Sequence, residues 1–280
     1  MRPIRRSTVR RLIGDQHGFS LSELLVTTTI VGFIMAGLST TLMTGNSVGV
    51  TSRGRAESQQ SARAVLLVEE DLRLVGYGYP RALVPITAAS PTAVTFWADL
   101  TDASTVLSNG VNQNDTTLPV ASGAKIAAGN TIYLMNTDLW LTATVSSVSG
   151  NTITVPAESI TSGFPGGAQV GRPRLVRYCW NGVSACPNPA ATPCNTGLGN
   201  TVCRDAGDGT GFQPLADGVK TFQLTYFDGT ETQIAAANLA ANLANIRRVT
   251  IAMTAQSGIA PNIGAVSVRS AVRPRNLPFN

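Results

Sequence analysis

Histidine is almost missing: His17 is the only one in 280 residues. It lies in a basic tail, so a chain that loses the tail has no imidazole for a Ser-His-Asp triad, a Cys-His pair or a zinc-hydrolase site. That closes most routes to hydrolysis at neutral pH. Paired carboxylates of the glycosidase kind are not evident either. The sequence therefore predicts no enzyme and no cofactor. Charge is also scarce, at 13% of residues, about half the usual globular share. This excludes a disordered chain. Of the net +5, most sits at the start, where Arg2, Arg5, Arg6, Arg10 and Arg11 stand against Asp15. From Phe19 onward 16 basic residues face 15 acidic ones. A basic tail on a neutral body predicts no nucleic-acid partner. No CxxC pair occurs and, without histidine, zinc would need all four thiolates, so no metal site is predicted.

What is present begins with an apolar run. Phe19 to Met43 reads FSLSELLVTTTIVGFIMAGLSTTLM, 25 residues with Glu23 as the one charge. At about 1.5 Å per residue such a helix is long enough to cross a bilayer. The arginines before it keep residues 1–18 in the cytoplasm and send the rest outward. An ordinary single-span anchor fits this pattern. A secretory signal peptide fits less well, because its apolar region is usually about 7–15 residues. Glu23 is the informative residue. A carboxylate in a spanning helix costs roughly 2.5–3.5 kcal/mol at its centre, and residues 19–43 contain no Lys, Arg or His. Cutting between Gly18 and Phe19 would create the missing cation, an α-amino group largely protonated at neutral pH. In a bundle of identical helices, amines and carboxylates of neighbours would then neutralise one another.

Gly18-Phe19-Ser20-Leu21-Ser22-Glu23-Leu24-Leu25, after a short basic leader, resembles the class III signal of type IV prepilins and pseudopilins. The resemblance implies that prepilin peptidase cleaves after Gly18 and that Phe19 is N-methylated. It further implies that Glu23 pairs with a neighbouring amine during filament assembly. The partners are then the peptidase, the inner membrane, and other pilins and minor pilins. The mature protein would pass from a single-pass inner-membrane state, head outside the cytoplasm, to a pilus at the cell surface. The mid-helix proline common in major pilins is absent. One helix is predicted from about 19 to 75, ended by Gly76-Tyr77-Gly78-Tyr79-Pro80. Its apolar stripe is Ala62, Val65, Leu66, Leu72 and Val75, with Glu69-Glu70-Asp71 as a solvated face.

After Pro80 the pattern turns to strands: Thr92–Trp97, Thr131–Met135, Trp140–Val148, Thr152–Val155, Arg174–Trp180, Val219–Phe227, Arg247–Ala255 and Ala265–Val272. Ile234–Asn245 reads as a short helix. The fold class is α+β, a long N-terminal helix on an antiparallel β-sheet head with an inserted small β subdomain. The domains are a leader (1–18), the helix (19–76), the head (77–98 and 173–280) and the insertion (99–172). Asp71-Leu72-Arg73, Gly76-Tyr77, Leu215-Ala216-Asp217-Gly218-Val219, Ile246-Arg247-Arg248-Val249 and Arg275-Asn276-Leu277 resemble PilW-like minor pilins. J-type pseudopilins of type II secretion share some of these motifs. The insertion is acidic, with Asp99, Asp102, Asp115, Asp138 and Glu158 outnumbering its basic residues. It reads first as structural elaboration and second as a projecting contact surface, and Gly150-Asn151 marks a hairpin within it.

Cys179, Cys186, Cys194 and Cys203 are four, on the side of the membrane where disulfides persist. Two disulfides follow. The nested connectivity, Cys179–Cys203 with Cys186–Cys194, is preferred because Arg174–Trp180 and Thr201–Arg204 flank one hairpin, with the sequential pairing next. Asp205 and Asp208 read first as turn residues, with part of a calcium loop as the second reading. Trp97, Trp140 and Trp180 read as core or strand-face residues. Taken together, the sequence predicts a minor pilin of a type IV pilus-like filament, acting in initiation, assembly or at the tip. The alternatives are a type II secretion pseudopilin and a permanently anchored surface binding protein.

Overall fold

The computed structural model describes residues 20–180, 200–255 and 266–277. One continuous helix, α1 (Leu21–Arg73), opens the described chain. Two compact units divide it, Met1–Thr51 and Ser52–Asn280, so α1 contributes to both. In the second unit Ser61, Ala64, Val65, Val68, Asp71, Leu72 and Val75 are buried, a stripe recurring every three or four residues. It is rotated from the predicted one. Leu66 is 62% exposed, because Ala64 and Val68, rather than Ala62 and Leu66, complete the face toward the sheets. The helix stops where Gly76 turns left-handed at φ +78, and its N–H donates to the Trp97 carbonyl at 2.8 Å.

Two antiparallel sheets build the head. The first runs β1 (Ile86–Ala89), β2 (Ala93–Ala98), β10 (Arg174–Trp180), β11 (Val202–Asp205), β12 (Gln213–Ala216). The second runs β13 (Val219–Phe227), β14 (Arg248–Ala255), β15 (Val266–Val272). Both sheets and the helix stripe close one core, in which Phe96, Tyr178, Phe222, Tyr226 and Leu72 are fully buried. Each contributes about 1.5–3 kcal/mol by leaving water. Tyr226 keeps its hydroxyl satisfied by donating to the carbonyls of Ser90 and Ala93, at 3.0 and 3.2 Å.

The inserted β subdomain has a core of its own, including Ile132, Leu134, Ile153, Ile160, Phe164 and Val170. One of its sheets runs β3 (Thr105–Val106), β9 (Gln169–Gly171), β5 (Thr131–Met135), β6 (Trp140–Thr144). The other runs β4 (Thr117–Pro119), β8 (Thr152–Thr154), β7 (Ser147–Ser149). The predicted single strand Trp140–Val148 is therefore two strands in different sheets. The chain crosses between them at Val145 and Ser146, whose amides donate to Asn130 and Thr154. Gly150, at φ +59, turns β7 into β8 as a hairpin needs. The subdomain leaves the head after Ala98 and returns at Arg174, and those two residues face each other across β2 and β10.

Three features hold the junction. Asp99 accepts from the amides of Thr101, Ala103 and Ser104 and from the hydroxyls of Thr101 and Ser104, all at 2.7–3.1 Å. Tyr79 stacks on Trp97 at 5.6 Å and meets Tyr133 edge-on at 5.2 Å. Gly171 comes so near Gly78 that an added Cβ would stand 2.0 Å from the Gly78 carbonyl oxygen.

Ile234–Asn245, read from sequence as a helix, is instead two short 3-10 turns, Ala236–Asn238 and Leu243–Asn245. Asparagine side chains compete with the backbone there. Asn242 Nδ2 donates to the Asn238 carbonyl at 2.9 Å, and Asn245 Nδ2 to Asn242 Oδ1 at 2.9 Å. A segment this short has little cooperativity to resist them.

Candidate assembly segment

Leu21–Met43 is 23 residues long and, among the described residues, the one stretch long and apolar enough to cross a bilayer. Its large side chains, from Leu21 through Phe33 to Met43, lie exposed. Threonine and serine are the only neutral polar side chains in this stretch apart from its first turn, and they are internally satisfied. Thr27, Thr28, Thr29, Ser39 and Thr41 donate to carbonyls one turn back, at 2.6–2.9 Å. In a medium without water each hydroxyl thus keeps a partner.

Ser20 and Glu23 form one half of a capping box, the Ser20 hydroxyl being bonded to the Ser22 hydroxyl instead of the Glu23 amide. The Ser20 carbonyl accepts the Leu24 amide at 3.1 Å, and the Ser20 amide donates back to Glu23 Oε2 at 3.1 Å. One orphan donor at the helix start is thereby satisfied, and the carboxylate faces the positive end of the helix dipole. Among the described residues no ion pair engages Glu23. Gly18 and Phe19 lie outside the described residues. The capping role escaped the sequence analysis, although its signal, Ser-x-x-Glu ahead of an apolar run, stands in Ser20-Leu21-Ser22-Glu23.

In the head, β10 and β11 pair antiparallel with Cys179 opposite Cys203. Both are buried beside Ala93 and Phe212, and no described cysteine is free. Cys186 and Cys194 lie outside the described residues. Asp205 and Asp208 behave as turn residues. Asp205 Oδ1 accepts the Gly207 amide at 2.8 Å and Oδ2 the Arg177 guanidinium at 2.7 Å. Asp208 Oδ1 accepts the amide and hydroxyl of Thr210, which hold its carboxyl below the usual aspartate range. Trp97 and Trp180 are half-buried, Trp180 donating Nε1–H to the Val219 carbonyl at 3.2 Å, while Trp140 is 38% exposed.

Asp71 overturns the reading of Glu69-Glu70-Asp71 as a solvated face. Glu70 is exposed and Glu69 half-buried, but Asp71 is buried. Its Oδ2 accepts the Tyr178 hydroxyl at 2.5 Å and Arg204 Nε at 2.8 Å, joining α1 to β10 and β11. Burial pushes the Asp71 carboxyl up, although the Tyr178 hydroxyl and the Arg204 guanidinium pull the other way. Burial raises the Tyr178 phenol still further above its ordinary value, so it stays a donor.

Residues 13–39 match the Prokaryotic N-terminal methylation motif family. No curated protein and no solved structure matches the chain. The motif together with the apolar helix that continues from it supports a type IV pilin-like protein, processed by prepilin peptidase and assembled with other pilins. It fits single-pass anchoring in the inner membrane.

Proposed function

We propose that the chain is a minor pilin of the PilW-like kind. It enters a type IV pilus-like filament after cleavage between Gly18 and Phe19 and methylation of the new amine. The observation that carries this reading is the matched motif running directly into an apolar helix whose large side chains from Leu21 to Met43 lie exposed. Such a surface is stable in lipid or against identical helices, and unstable in water. The first unit supplies the packing helix. The second supplies a head bearing residues 99–172 as an insertion, and this head primes or decorates the filament tip. Four cysteines forming two disulfides around the β10–β11 hairpin stabilise the head outside the cytoplasm. Glu23 serves assembly by pairing with the Phe19 amine of a neighbour, and its capping bond to Ser20 orients it at the helix entry.

Mass spectrometry of the protein isolated from its native membrane tests the reading. The expected mature chain starts at a methylated Phe19. A chain that still starts at Met1 contradicts the proposal and favours a permanent anchor.

A further inference from the structure

At the junction of the head and the inserted subdomain, Arg172, Arg174 and Arg177 line one cavity of about 660 Å³ with Trp97, Asn130 and the Gly207–Gly211 turn. Arg172 is the unusual member. It is only 9% exposed, yet its two bonds go to neutral atoms: Nη1 donates to Asn130 Oδ1 at 2.9 Å and Nη2 to Thr101 Oγ1 at 2.8 Å. Its Nε is buried with no partner among the described residues. Asp99 makes no ion pair with it and is bridged to it by Thr101, whose hydroxyl donates to Asp99 Oδ1; its charge still acts on Arg172, but its oxygens are already committed to residues 101–104. A buried guanidinium with no carboxylate bonded to it carries a desolvation cost. Burial, and next the charge of Arg174, push Arg172 below its ordinary value, with the charge of Asp99 opposing them in part.

The other charges on the wall do not relieve it. Arg177 is paired with Asp205 at 2.7 Å, and its Nε too is buried without a partner among the described residues. Arg174 makes no ion pair among the described residues. Asp208 lies within its electrostatic reach but spends its carboxylate on Thr210. The stretches 181–199 and 256–265 contain no Asp or Glu. Asn130 Oδ1 is taken by Arg172 and the Ala127 amide, which leaves its NH2 as a further donor.

We infer that this cavity binds an oxyanion carried on a sugar, held by the guanidinium groups of Arg172 and Arg174. Planar guanidinium forks match carboxylate and phosphate oxygens. The cavity is far larger than a bare anion, and its remaining lining is what a sugar needs: hydroxyl and amide groups at Asn130, Thr131 and Thr210, and the indole of Trp97. A uronic acid and a sugar phosphate share this chemistry.

Isothermal titration of the full chain in detergent micelles decides, with glucuronate, glucose 6-phosphate and glucose as probes. Saturable binding of one or both anions is expected, and none of glucose; the anion that binds more tightly identifies the source. Arg174→Gln, at a half-exposed position whose side chain makes no bond among the described residues, is expected to raise Kd about tenfold with an unchanged melting temperature. Should that variant fail to fold, Arg174→Lys replaces it, keeping the charge but losing the fork, with about a threefold rise expected. The inference is overturned if neither anion binds at about 10 mM, if glucose binds equally well, or if the folded variant matches the parent.

Discussion

Asp71 shows how one residue can hold a helix to a sheet. Its carboxylate is shared by a phenol and a guanidinium from two different strands, so removing it strands both partners. Asp71→Ala is expected to lower unfolding free energy by about 2–3 kcal/mol, at the low end for a buried pair because Arg204 keeps some solvent contact. Urea denaturation measures it. The pH dependence has a definite sign. Burial places the folded-state pKa of Asp71 above its unfolded value, so the native state binds this proton more tightly. The contribution of Asp71 to stability is fully present below the unfolded pKa of about 3.9 and declines as pH rises through the folded one. Subtracting the Asp71→Asn profile from the parent's should isolate that decline. A flat or rising difference would contradict the assignment. Sequence alone hid this residue because Glu69-Glu70-Asp71 is a charge run. Only its place three residues from Val68 and beside Leu72, on the buried stripe, betrays it. Glu23 poses the opposite problem, since its residue type was legible and its second role was not. Glu23→Gln keeps an acceptor for the Ser20 amide and loses the charge. If pairing with a neighbouring amine is what assembly needs, this variant is processed normally yet is depleted from sheared filaments. Wild-type incorporation would leave capping as the whole role.

Among the elements, the strands rich in β-branched and aromatic residues were readable, and Thr131–Met135, Arg174–Trp180 and Val219–Phe227 stand where the pattern places them. The short ones were not. Gln169–Gly171 and Thr105–Val106 have too few residues for a period, and their pairing comes from partners far along the chain. Gly171 is the clearest example, because its smallness matters only when Gly78, far away in sequence, presses against it. Gly171→Ala would drive a methyl into the Gly78 backbone and the Met135 side chain. A loss of about 3 kcal/mol or more is expected, read as a lowered melting temperature of the second unit. Gly150→Ala has open space around it and pays only for its left-handed backbone, about 1 kcal/mol.

For the whole molecule, the processing signal was legible because peptidase and lipid read a contiguous run of residues, and adjacency in sequence suffices for that. The arginine-lined cavity was not, because Trp97, Asn130, Arg172 and the turn at 207–211 converge only after two cores have formed. The same topology makes the insertion separable. Replacing residues 99–173 by a short Asn-Gly turn should join β2 to β10 as an ordinary hairpin, since their ends are already register partners. The shortened protein is expected to retain a cooperative melt and to enter filaments, while losing any oxyanion binding. A collapsed or aggregated product would show that the head core depends on the insertion.

Because both ends of the subdomain emerge from facing positions on neighbouring strands, the host sheet holds it at a two-point socket, with the Gly78–Gly171 and Tyr79–Tyr133 contacts as a seam around it. A lineage can exchange the cargo at that socket, lengthen it or discard it by repacking that seam and Leu100 while the rest of the head core stays as it is. On the proposed reading, what the filament tip touches is thereby free to change faster than the fibre itself.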